Sequence, residues 1–152
     1  MTVLMTIKKI DCIEMKIPAK SEYISLGRLT LSSIANQCGF SYEIIEDLKI
    51  AISEAITNAV THAYQNSEEG IIEIIFSRYE DRLGIRVKDE GVTPSDGVKL
   101  SSDRKPYTAD VTADTLEVGG LGLFLIQALM DDVVLKEENG VEIEMIKYFD
   151  KE

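Results

Sequence analysis

The sequence predicts an α/β chain of the two-layer α+β sandwich type, with a mixed sheet and helices packed on one of its faces. Three observations carry this. The apolar period changes from two to 3.6 and back along the chain. The resulting order is strand, two helices, two strands, a long aperiodic segment, one helix and two strands. The strands outnumber the helices between them, which disfavours a doubly wound parallel sheet. Finally, 152 residues at 45% hydrophobic composition make one domain's worth of chain, enough to bury a single sizeable core. Neither an internal repeat nor a linker interrupts it, so residues 1–152 are expected to form one domain.

Cys12–Ile17 alternates apolar and polar residues as a half-buried strand does, and Pro18 ends it. From Glu22 to Gln37 the apolar residues Tyr23, Leu26 and Ile34 recur at helical spacing, and Asn36 and Gly39 stand where a helix stops. Ser41 is placed to cap a long helix reaching about Tyr64. Its buried stripe would be Ile44, Ile45, Leu48, Ile52, Ala55, Ile56 and Ala59. A turn at Asn66–Gly70 leads into strands Ile71–Tyr79 and Leu83–Lys88, joined tightly at Glu80 and Asp81. Asp89–Val118 has no clear apolar face, as expected of a functional lid or a disordered segment. Gly119 to Leu123 then opens an apolar helix reaching about Met130. Val133–Lys136 and Val141–Tyr148 close the chain as a hairpin around Glu138-Asn139-Gly140.

Composition excludes several function classes. Sixteen basic residues face twenty-seven acidic ones, net −11, which argues against binding a nucleic-acid backbone. The charge is uneven: residues 1–36 hold five basic and three acidic residues, whereas the rest is at −13. One histidine and two cysteines, with no CxxC pair, cannot build a zinc site without carboxylates. Cys12 and Cys38 read as small core hydrophobes in a reducing compartment. The N-terminus lacks the pattern of a signal peptide, and the uncharged run Val118–Met130 is too short for a membrane span. A soluble, cytoplasmic protein is expected.

Three motifs could carry chemistry. Glu54, Asn58 and His62 recur at four-residue steps and so share one helical face. A carboxylate beside a carboxamide suits a magnesium ion that keeps its other positions for water and phosphate. The same residues would also serve as a solvated polar stripe. Asp89-Glu90-Gly91 follows a strand directly, where a carboxylate can enter a pocket with close backbone approach, although such a triplet is also an ordinary turn. Gly119, Gly120, Leu121, Gly122 and Leu123 open a helix whose first N–H groups and dipole favour an anion. They equally suit a glycine hinge against the sheet. The cluster is neither a P-loop nor a dinucleotide fingerprint.

The order and spacing of these motifs resemble the Bergerat-fold ATPases, which include gyrase, Hsp90, histidine kinases and MutL. Within that group the chain is similar to the stand-alone anti-sigma factor serine kinases, nearest those that govern the general-stress sigma factor of Gram-positive bacteria. The likeness spans IEMKIPAKSEYISLGRLTLS, IEDLKIAISEAITNAVTHAY, GGLGLFLIQALMDDV and MIKYF. It implies a Bergerat-type fold with an ATP lid around residues 92–118. It further implies that Glu54 is the general base toward an acceptor serine and Asn58 the magnesium ligand. Asp89 would accept from the adenine amino group, with Gly91 letting the base approach. Gly119, Gly120 and Gly122, with Leu121 and Leu123 between and after them, would present amides to phosphate. His62 would lie near the nucleotide, and Arg28 in GRLTLS would contact partner proteins.

The implied function is that of a switch, expected to be a homodimer. It would hold a sigma factor inactive and use ATP and Mg²⁺ to phosphorylate a serine on an anti-anti-sigma partner. Two positions depart from the family pattern. Thr93 stands where a second glycine of the Asp-x-Gly-x-Gly motif is usual, and Val141 where a threonine often supports the aspartate. A nucleotide-binding regulator without kinase activity therefore stays open as an alternative. A histidine-kinase catalytic domain fits less well, since a single histidine leaves none to serve as phosphoacceptor.

Overall fold

The computed structural model describes residues 7–66, 70–89, 121–137 and 140–149. Among these described residues, five strands and three helices follow in the order β1 (Lys9–Pro18), α1 (Ile24–Cys38), α2 (Tyr42–Asn66), β2 (Ile71–Tyr79), β3 (Arg82–Asp89), α3 (Leu121–Leu129), β4 (Asp132–Lys136) and β5 (Glu142–Tyr148). A 3-10 turn, Ser21–Tyr23, leads into α1.

Local chemistry accounts for the boundaries. Pro18 closes β1, where a missing N–H costs no ladder bond. Gly39 terminates α1 at φ +92°, a left-handed conformation that glycine adopts without a Cβ penalty. Two residues later Ser41 Oγ accepts from Ile44 N–H at 3.2 Å and so caps α2, as its position in the sequence predicts. At the C-terminus of α3 the Lys147 ammonium donates to Leu129 O at 3.0 Å, satisfying one orphan carbonyl at the negative end of the helix.

The strands lie in the order β1-β2-β3-β5-β4. The expected α+β sandwich is present, but its sheet is antiparallel in every ladder rather than mixed. The reason lies in the final hairpin. It inserts β5 between β3 and β4, so these two strands, which run the same way, never become neighbours. The crossover through α3 passes over one intervening strand.

All three helices cover one face, with α2 between α1 and α3. Beneath them Ile72, Ile74, Phe76, Leu83, Ile85, Val87 and Met145 meet Leu31, Leu48, Ile52, Ile56 and Ile126 in one core. On α1, Gly27 lets the helices close in: a Cβ there would lie 2.5 Å from Ile56 Cδ1 and 3.2 Å from Ile74 Cδ1. Cys12 does not belong to this core. It is exposed, since strand parity puts it with Glu14 and Lys16 on the outer face while Met15 and Ile17 turn inward. Cys38 is half-buried, and burial pushes its thiol pKa up, partly opposed by the nearby Arg78. A protonated thiol is a poor nucleophile, which leaves Cys38 in a packing role. Among the described residues no helix is long and apolar enough to cross a membrane.

Candidate functional site

The site is built along one flank of α2. Ala51, Ile52, Ala55, Ile56, Ala59 and Val60 point into the core, which fixes the rotation of the helix. That rotation leaves Glu54, Asn58 and His62 half-buried at the margin between core and open space. Eight residue steps lead from the first to the last, about 12 Å along the helix axis.

At the near end, α3 begins against Glu54 and Asn58. Gly122, in its first turn, is buried, and a Cβ on it would lie 2.7 Å from Glu54 Oε1 and 3.8 Å from Asn58 Nδ2. Only the lack of a side chain allows this approach. The positive end of α3 therefore sits beside a carboxylate and a carboxamide, where its first N–H groups can meet an anion. Hard oxygen donors of this kind fit a magnesium ion that also takes phosphate and water. Among the described residues there is no group of three or more His, Cys, Asp or Glu that could hold a metal alone.

At the far end, His62 Nδ1 meets Asp89 Oδ2 at 2.5 Å. A carboxylate offers only acceptors, so the imidazole donates. The Asp89 side chain is 1% exposed and that of His62 12%. Asp89 is the single fully buried charged residue among those described, a placement that costs free energy unless partners compensate. Its backbone is held as well. Asp89 N–H donates to Val141 O at 3.0 Å. Gly140, at φ +112°, packs on the Asp89 carbonyl so closely that a Cβ would come within 2.5 Å of the oxygen. The sequence marks Gly140 as a hairpin residue and Val141 as a departure. In the fold the first supplies room, and the second supplies a backbone carbonyl to the end of β3.

The remaining sequence-predicted residues divide as follows. Gly91, Gly119, Gly120, the lid over 92–118 and Thr93 lie outside the described residues. Leu121 is the first residue of α3, with its side chain also outside them. Leu123 is 6% exposed, so its side chain packs inward and only its backbone could face a ligand. Arg28 stands apart from the flank of Glu54. Its Nη1 donates to Ser53 Oγ at 3.0 Å across the α1–α2 contact. The sequence gives no signal for Ser53, whose partner lies 25 residues away.

Residues 17–147 match the family model described as histidine kinase-like ATPase domain. Several curated proteins named Serine-protein kinase RsbW are similar over most of their length. The protein of Oceanobacillus iheyensis is 53% identical over 142 residues, covering 93% of this chain and 89% of that one. That of Listeria monocytogenes is 51% identical over 141 residues, and that of Staphylococcus epidermidis 51% over 143, with the same coverage. The carboxylate and carboxamide beneath a glycine-opened helix, with a buried aspartate at the next strand end, are thus found in a chain that belongs to the histidine kinase-like ATPase family, among the relatives named Serine-protein kinase RsbW.

Proposed function

We propose that this protein is an ATP-dependent protein-serine kinase that acts as an anti-sigma factor. It holds a stress-response sigma factor inactive and phosphorylates a serine on an anti-anti-sigma partner. The observation that carries this is the fit of Gly122 over Glu54 and Asn58. It sets a candidate base and a candidate metal ligand at the positive end of α3, where a terminal phosphate would be received.

In this reading Asn58 holds Mg²⁺, which when bound neutralises phosphate charge. Glu54 takes the proton as the acceptor serine oxygen attacks the γ-phosphorus; the β–γ bond breaks and ADP leaves. Asp89 receives the adenine amino group, and amides at the start of α3 face the phosphates. His62 is a nucleotide-end residue. Residues 92–118 form the lid of a single domain over 1–152, and the protein works in the cytoplasm as a homodimer. The added phosphate places about two negative charges at the docking surface, so the partner leaves and the sigma factor is recaptured.

The direct test uses labelled ATP, Mg²⁺ and the anti-anti-sigma partner. Label should appear on one partner serine. Binding of ATP without any transfer would leave the second reading, a nucleotide-dependent binder, which the Thr93 and Val141 departures keep open. A histidine-kinase role is further disfavoured because the single histidine is engaged with Asp89.

Arg28 adds a prediction about the partner surface. It lies in the segment with net positive charge and is braced by Ser53 next to Glu54, so its guanidinium is held for an acidic partner side chain. Arg28→Ala should weaken partner capture about tenfold, read by titration calorimetry, without a matching loss of ATP affinity. Equal losses in both would place Arg28 in the fold rather than the interface.

A further inference from the structure

We infer that His62 is the positioning residue that aims the base-reading carboxylate, so that the choice of adenine over guanine depends on a side chain that need not touch the base. This rests on the reading of Asp89 as the adenine acceptor. Four observations support it. His62 Nδ1 and Asp89 Oδ2 are 2.5 Å apart. Both side chains are almost withdrawn from solvent, at 12% and 1% exposure, so water does not compete for the contact. The Asp89 backbone is fixed independently by Val141 O and by the close approach of Gly140. The main rotational freedom left to the carboxyl group is therefore about its own side-chain bonds, and the imidazole contact restricts it. Finally, His62 is carried on the same helix as Glu54 and Asn58.

The chemistry explains why orientation matters. Adenine presents an amino donor at the ring position where guanine presents a carbonyl oxygen. A carboxylate held in one orientation attracts the first and repels the second. One that can swivel retains less of that contrast, because it can turn away from the repulsive group. Sites built around fixed polar groups discriminate more strongly than those that adapt.

The test compares ATP and GTP affinity, by titration calorimetry, across variants of the full chain. In His62→Asn the side-chain amide reaches the position of Nδ1 and can still donate to Asp89. In His62→Gln the amide is displaced by one methylene, toward the position of Nε2. His62→Asn should keep the wild-type ATP:GTP ratio within about threefold, whereas His62→Gln and His62→Leu should lower it about tenfold. Should His62→Leu fail to fold because the buried carboxylate loses this contact, the Asn and Gln pair decides alone.

A merely structural histidine would weaken both nucleotides together and leave the ratio unchanged, and that result overturns the inference. So does an equal ratio in His62→Asn and His62→Gln. Asp89→Asn separates the two levels of the argument. If it lowers the ratio while the His62 variants do not, the reading of Asp89 stands and only the positioning role falls. If it leaves the ratio intact, the reading falls and takes this inference with it.

Discussion

Glu54→Gln should still bind ATP yet transfer phosphate about 10²- to 10⁴-fold more slowly, the range expected when a positioned general base is removed. Glutamine keeps the size of the side chain, so the contact with Gly122 and the packing of α3 survive. What it loses is a carboxylate able to accept a proton, the role proposed for Glu54 toward the serine hydroxyl. Steady-state transfer of labelled phosphate to the partner measures the first effect, and calorimetric ATP affinity the second. If affinity falls in step with the rate, Glu54 holds the site together rather than acting in the chemistry. An unchanged rate would remove it from the mechanism altogether.

The second large effect comes from adding one methyl group. In Gly122→Ala the new Cβ would overlap Glu54 Oε1 at 2.7 Å, and one of the two must yield. The atom in the way is the far end of a flexible side chain, so the fold can absorb the change. Alanine also favours a helix over glycine by about 1 kcal/mol. The thermal midpoint should therefore stay at or slightly above that of the wild type. Activity should not survive so well, because displacing a catalytic group by about 1 Å is enough to cost about 100-fold. A variant at least as stable but nearly inactive is the expected outcome. Full activity would show that the carboxylate has no fixed working position, and a large drop in melting temperature would make Gly122 a packing residue only.

Much of this arrangement is legible in the sequence because it is local. The four-residue steps of Glu54, Asn58 and His62, the cap at Ser41 and the stop at Gly39 each depend on a few neighbouring residues, and each is found where the pattern puts it. Strand parity is equally local. Ile13, Met15 and Ile17 form one apolar set, which already separates Cys12 from them. The antiparallel sheet is harder to read, since it depends on where the last hairpin inserts rather than on any strand's own composition.

The contacts that make the far end of the site are long-range, and no local pattern announces them. His62 and Asp89 are 27 residues apart. Gly140 has an evident reason to be glycine in a hairpin turn, and that reason conceals the second, its approach to the Asp89 carbonyl. Val141 looks like the loss of a side-chain support, whereas its contribution here comes through the main chain. Ser53 is ordinary on any amphipathic helix until Arg28 is seen beside it.

The unbroken course of α2 from Tyr42 to Asn66 makes it a ruler with two graduations. Each residue advances a helix by about 1.5 Å and turns it by about 100°. Substitutions between Asn58 and His62 leave those graduations in place. A single inserted or deleted residue would swing His62 about 100° away from Asp89 while Glu54 stayed in register with α3. The interval is thus closed to change in length, and on the proposed reading of the site the span between the two ends of a nucleotide is set by the count of residues.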